Sequence, residues 1–204
     1  MNPAVDALER PGQLSIIGDY DCAERRSTEA FISEVFARRF SARLEHFFPN
    51  IAATRTQTGE INAAAGYRAA DSSRLFLEQY LDRPIEATIR YHFGEVVDRA
   101  RIVEVGSLAT AGGRAAVGLI AALIRHLIAE GFVWAVFTGN DAVRNLFQKL
   151  HLFPFAICCA DAAQLREAGD CWGTYYDHHP IVMAGRLTDG ATAISVPQRT
   201  SRAA

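Results

Sequence analysis

Apolar and polar positions change period several times along the chain, and each change marks an element. Leu14 to Ile17 reads as a short first strand. From Ser27 or Thr28 the spacing becomes helical, through Phe31, Val35, Phe36 and Phe40 to Leu44, with acids early and Arg38, Arg39 and Arg43 late, as the helix dipole favours. Ile51 to Arg55 and Ile61 to Arg68 flank Gln57-Thr-Gly-Glu60, the composition of a hairpin. Leu75, Leu77 and Leu81 alternate with polar neighbours and predict an extended, half-buried segment. Pro84 then opens a short helix that closes at Gly94.

The most informative stretch runs from Arg101 to Leu152. Arg101 to Ala109 alternates as a strand but loses alternation at Gly106, which predicts a bulge or splay. Thr110-Ala-Gly-Gly-Arg114 follows, and then Val117, Ile120, Leu123, Ile124, Leu127 and Ile128 at helical spacing, so Gly112 and Gly113 sit at a helix N-terminus. There the free N–H groups and the dipole can hold a phosphate, and Arg114 adds a full charge. Phe132 to Gly139 is a nearly all-apolar strand pattern. Asn140 or Asp141 caps a helix whose apolar face is Val143, Leu146, Phe147 and Leu150. Phe155 to Cys159 reads as another buried strand, residues 162–168 as a surface helical turn, and Ile181 to Gly185 as a last strand.

Taken together, these elements predict an α/β (α+β) fold: one domain over residues 1–189 and a loose tail over 190–204. A net charge of −2, with no basic block, argues against a nucleic-acid surface. The N-terminal residues lack the pattern of a signal peptide, and the Ala115–Ala129 run is too short and too polar to span a bilayer, so a cytoplasmic location is expected. Cys22, Cys158, Cys159 and Cys171 lack zinc-site spacing, and two ligands of the His178 and His179 kind do not make a metal centre, so no metal is expected.

Four features resemble the GNAT acyltransferase superfamily: the bulged strand carrying Glu104, the Gly112-Gly113-Arg114-Ala115 turn into a helix, the apolar strand after it, and Asn140 followed by Phe147-Gln-Lys149-Leu. Over most of its length the chain resembles the thermostable hemolysin family, through Phe47-Phe-Pro-Asn50, Phe76-Leu-Glu-Gln-Tyr-Leu-Asp82, Arg101-Ile-Val-Glu-Val-Gly106 and Trp172-Gly-Thr-Tyr-Tyr-Asp-His178. A fainter likeness to acyl-homoserine lactone synthases lies in the glutamate on the fourth strand. The resemblance implies a mixed central sheet with a splayed parallel strand pair and flanking helices, and acyl transfer from acyl-CoA or an acyl carrier protein to the amine of a small molecule. It places donor binding at Leu108, Thr110, Gly112, Gly113, Arg114, Ala115 and Asn140, and catalysis at Glu104 as the base that takes the amine proton. Phe147 stands where the superfamily often carries a tyrosine acid, which leaves Tyr175 or Tyr176 for that role. Thr110 stands where Gln or Arg commonly begins the glycine turn, which makes a carrier-protein donor plausible, and the arginines of the first long helix offer such an acidic protein a dock.

Alternatives remain beside these roles. Glu104 could instead pair with Arg99 or Arg101, and Glu78 and Asp82 with Arg101 or Arg68, rather than receive an acceptor amine beside Tyr80. Asp177 and His178 could clamp substrate, but adjacent residues of an extended chain point to opposite faces and no nucleophile elbow accompanies them. Two other function classes stay open: a protein that acts on membranes directly, and an acyl-carrier-binding module without turnover.

Overall fold

In the computed structural model, residues 13–18, 22–165 and 169–195 are described. The centre of the sheet is built on alanine. Strands β2 (Asn50–Arg55) and β3 (Ile61–Ala69) form the expected hairpin, and their buried Ala52, Ala53, Ala63, Ala64 and Ala65 alternate between two faces. Ala53 and Ala64 meet helix α1 (Ala23–Phe40) on one face, and Ala52, Ala63 and Ala65 meet helix α3 (Gly113–Ala129) on the other. Side chains this small let both helices lie close to the sheet, so β2 and β3 are covered on both sides.

The remaining strands are β1 (Leu14–Ile17), β4 (Ile102–Thr110), β5 (Trp134–Gly139), β6 (Phe155–Cys159) and β7 (Ile181–Arg186), in the spatial order β1-β2-β3-β4-β5-β7-β6. All neighbouring pairs are antiparallel except β4 and β5, which run parallel and are joined by α3 as a crossover. Helix α2 (Ile85–Phe93) packs on the α1 side over Ile102, Trp134 and Val136. Helix α4 (Asp141–Lys149) follows β5, and helix α5 (Leu187–Ser195) packs against α3.

Several expectations are corrected. Helix α1 begins at Ala23, because the Cys22 thiol accepts from the Arg25 amide as its cap, and it ends where Ser41 turns left-handed at φ 53°, before Leu44. Phe76–Tyr80 is a 3-10 turn rather than an extended segment, because the Glu78 carboxylate folds back onto the Leu75 amide. Strand β6 is the sheet's outer strand and largely exposed, since β7 inserts between it and β5. Residues 190–195 belong to α5 and pack on α3, with the methyl of Ile124 near Gly190, rather than forming tail. Residues 196–204 lie outside the described residues, as do 166–168 of the expected surface turn.

Candidate functional site

The site is built where β4 and β5 part. Their parallel ladder runs from Ile102↔Trp134 to Val105↔Phe137 and stops there. The next residue is Gly106. Opposite it the β3 ladder slips between Ala64 and Gly66, and Ser107 takes a left-handed φ of 50°. The bulge bends β4 away from β5, so beyond Val105 the β5-facing edge of β4 has no ladder partner among the described residues. Sheet backbone without a partner is ready to bind one.

At the end of β4 the chain turns through residues 111–114, all exposed, into α3. A Cβ added at Gly112 or Gly113 would meet nothing within 4 Å, so the first amides of α3 are open to approach. The buried Thr110 hydroxyl donates to the Gly112 carbonyl at 3.3 Å and braces the turn. Arg114 is exposed on one side. On the other, Arg39 of α1 reaches the Thr110 carbonyl at 3.5 Å; Arg39 was missed at this site from sequence because nothing local links α1 to the turn. Asn140 is buried and caps α4 by accepting from the Val143 amide at 3.2 Å. The splay opens into a cavity of about 1100 Å³ lined from both faces of the sheet, by α3 on one and by Phe36, Phe40 and Tyr175 on the other. Leu108, Thr110, Gly113 and Asn140 line its upper part, and Leu119, Leu123 and Phe137 its apolar interior. The donor-binding residues expected from the sequence therefore gather in one place.

Glu104 lies differently from expectation. Its side chain points to the α1/α2 face, is 3% exposed, and is absent from the cavity wall. Its oxygens accept from the backbone amides of Leu77 at 2.8 Å and Phe76 at 3.0 Å. Its ion partner is Arg68, not Arg99 or Arg101: Arg68 Nε is 3.3 Å away but not aligned for a hydrogen bond, and is a buried donor without one. Burial pushes the Glu104 pKa up, against the opposing pull of the Leu77 amide, Arg68 and the Phe76 amide. The Arg68 guanidinium in turn sits 4.6 Å over the ring of Phe48, which covers Gly66 and Gly106. Phe48, which the sequence offered only as part of the Phe47–Asn50 family motif, thus ties Glu104's partner to the bulge.

Beside Glu104 stands an aromatic cluster. The buried Tyr80 hydroxyl and the half-buried Tyr176 hydroxyl are 2.5 Å apart. Burial raises both pKa values, and Tyr176 raises Tyr80 further, so both hydroxyls are protonated donors at neutral pH. Tyr175 lines the cavity, packs on Phe40 at 5.3 Å, and directs its hydroxyl to the Thr138 carbonyl at 3.5 Å. The His178 ring packs on Phe40 at 5.4 Å, while Asp177 is exposed, so the two do not converge.

Glu78 and Asp82 stand apart from the cavity, on a separate groove that Arg74 and Arg99 also line. Glu78 is buried and fully engaged. It accepts from the Leu75 and Ile85 amides and from Arg99 at 2.6 and 2.8 Å, and these partners outweigh burial and lower its pKa. Arg99 also pairs with Glu86. Asp82 is exposed and paired with Arg83. The partners expected for these two acids, Arg101 and Arg68, are therefore replaced by Arg99 and Arg83, and Glu78 is a structural hub rather than a free receptor for an amine.

The thermostable hemolysin family matches residues 19–191, and the chain belongs to it. No curated protein matches it in sequence. Among solved structures it is similar to the AHL synthase LasI at 10% identity and TM-score 0.62, covering 92% of this chain and 100% of that one. It is also similar to TofI in an apo form, at 12% identity and TM-score 0.61, over 91% and 97% of the two chains. A third likeness is to FeeM, an N-acyl amino acid synthase from uncultured soil microbes, at 10% identity and TM-score 0.56, over 89% and 98%. The fold is the GNAT-like one.

Proposed function

We propose that this protein is an N-acyltransferase that moves an acyl group from a thioester, acyl-CoA or acyl carrier protein, to the amine of a small metabolite. The observation that carries the reading is the junction of three things at one point: an unpaired strand edge at the β4/β5 splay, an exposed glycine turn with free helix amides, and a large apolar cavity leading away from both. Those are the three needs of an acyl thioester: amide partners for its arm, positive potential for its phosphate and apolar space for its chain. The fold shared with LasI, an AHL synthase, and with FeeM supports the same class.

In this reading the arm pairs with β4 beyond Val105, and the phosphate meets the Gly112–Gly113 amides between Arg39 and Arg114. Backbone N–H groups near Gly106 and Ser107 polarise the thioester carbonyl as charge develops. The amine attacks from the α1 side, beside Tyr175 and Phe40. Its proton passes to Glu104 by an indirect route through water, since the carboxylate faces the Phe76–Leu77 amides; a raised pKa suits that task. Tyr175, which lines the cavity, or Tyr176 behind it, bonded to Tyr80, is the donor for the leaving thiolate that Phe147 is not. A cavity of about 1100 Å³ exceeds the usual range of small-molecule sites, roughly 300–1000 Å³, and favours a long acyl chain over acetyl. The protein works without stable insertion into a membrane and without a metal.

The reading is tested by incubating the protein with acyl-CoA and acyl carrier protein donors of graded chain length and a panel of amines, following thiol release and product mass. Stoichiometric thiol and N-acylated product support it. Absence of both across the panel, with the protein folded, overturns it.

A further inference from the structure

The lower end of the cavity meets an exposed aromatic corner. Phe153 is 77% exposed, Tyr91 70%, Phe155 42% and Phe93 37%. The rings are in contact: Phe93 to Phe155 at 5.2 Å and His92 to Phe155 at 4.9 Å, with His151 6.5 Å from Phe153. The chain from His151 to Ala160 contains no Asp, Glu, Lys or Arg, and the strand within it, β6, is the outer edge of the sheet. Edge strands are normally guarded by charge, and solvent-facing aromatics are seldom gathered like this without a use. Phe93, Phe153 and Phe155 also line the cavity, so the corner is its lower mouth. Cations stand around it: Arg83 lies 4.6 Å over the Tyr91 ring and Arg90 is exposed one residue before it. The adjoining acids Asp82 and Glu95 are each paired with an arginine, Arg83 and Arg186.

We propose that this corner docks on a phospholipid bilayer. The aromatic rings enter the boundary between headgroups and acyl chains, the exposed Arg90 meets a lipid phosphate while Arg83 and Arg186 cancel the neighbouring acids, and an acyl chain passes between cavity and bilayer without crossing water. The mouth decides between a bilayer and a second protein as occupant: a protein seated there closes the cavity, whereas a bilayer can receive or supply the chain. Attachment is peripheral; no helix among the described residues is long and apolar enough to cross a membrane. The chain-transfer part rests on the acyltransferase reading, but docking itself is measured without any donor, so the two fail separately.

The test is flotation of the full chain with vesicles of equimolar phosphatidylcholine and phosphatidylglycerol, beside Tyr91→Glu and Phe153→Glu, with melting and sedimentation velocity recorded for each. The expected result is that the wild type floats and each substitution lowers the bound fraction roughly tenfold while melting stays unchanged. Tyr91 lies outside the cavity wall, so its variant reads docking alone. The proposal is overturned if the wild type does not float, if both variants float as well as it does, or if the wild type is a dimer that Phe153→Glu dissociates, which would make the corner a self-interface.

Discussion

The ring of Phe48 occupies the space that a side chain at Gly106 would need: its Cζ and Cε2 lie 2.7 Å from where a Cβ would stand. Gly66, paired with Gly106 across the ladder, meets the same ring at 2.6 Å. The loop that presents Phe48 is held by Arg25, which donates to the carbonyls of Phe48 at 2.9 Å and Pro49 at 3.0 Å. Glycine at both positions is required by this close approach, and the contact fixes the place where β4 bends.

Gly106→Ala is expected to cost about 1–3 kcal/mol, the usual cost of overpacking. Adding Phe48→Ala should recover part of that loss, because the two residues share one space. Denaturant unfolding of the two single variants and the double variant checks it; strictly additive losses would contradict the contact.

Removing Arg99 leaves the buried Glu78 carboxylate without its cation. Arg99→Met should destabilise by about 3 kcal/mol or somewhat less, since Arg99 is 25% exposed and the Leu75 and Ile85 amides remain. The sign with pH follows from the lowered pKa of folded Glu78. Its stabilisation is present above the ordinary glutamate value, about 4.3, and is lost as pH falls through the lower folded value. Urea midpoints of wild type and Arg99→Met should therefore converge as pH is lowered through that window, and a constant gap would contradict the assignment.

Tyr176→Phe strands the buried Tyr80 hydroxyl and is expected to cost about 1–3 kcal/mol. The Tyr80→Phe, Tyr176→Phe double variant should cost less than the sum of the two single changes. If Tyr176 also serves the leaving thiolate, turnover falls further than stability alone explains, which kcat at a temperature well below the melting point measures.

Much of this architecture is legible in the chain because the signals are local. The Gln57 to Glu60 turn, the Gly106 break in alternation, the helix after the Gly112–Gly113 turn and a cap at Asn140 or Asp141 are each read within a few residues, and the structure has them, with Asn140 as the cap. What failed was set by distant partners. Leu75, Leu77 and Leu81 alternate like a strand, but the 3-10 turn there is held by Glu104 from β4 and Arg99 from the segment before it. Phe155 to Cys159 is apolar enough for a sheet centre, yet strand order, which periodicity does not carry, puts it at the edge. Of the candidate site, the exposed glycine turn into α3 was legible. The surroundings of Glu104 were not, because Phe48, Arg68, Phe76 and Leu77 reach it from three other segments.

Glu104→Gln separates a chemical from a structural role. A buried carboxylate whose pKa is raised loses folding free energy to burial while charged. Lowering pH through the folded pKa relieves that cost, and Gln should abolish this dependence. The expected outcome is a loss of about 1–3 kcal/mol, since the Gln oxygen can accept from only one of the Phe76 and Leu77 amides and Arg68 loses its counter-charge, so turnover is read at a temperature well below the variant's melting point. Acylation should nonetheless fall by roughly 10²-fold or more, in the range of general-base contributions. Retained turnover would make Glu104 a pin between β4 and the Phe76–Leu77 turn.

The central claim is that an activated acyl group lies with its phosphate end at Gly112 and Gly113 and its chain in the cavity lined by α3. Its most direct measurement is the dissociation constant of non-hydrolysable acyl-CoA and acyl-pantetheine analogues as the chain lengthens, in wild type and in Leu123→Trp, which fills the cavity. Affinity should rise with each added methylene, by about 0.8 kcal/mol where burial is complete, until the cavity is full, and that dependence should be cut short in the variant. An affinity independent of chain length, or one that Leu123→Trp leaves untouched, would contradict it.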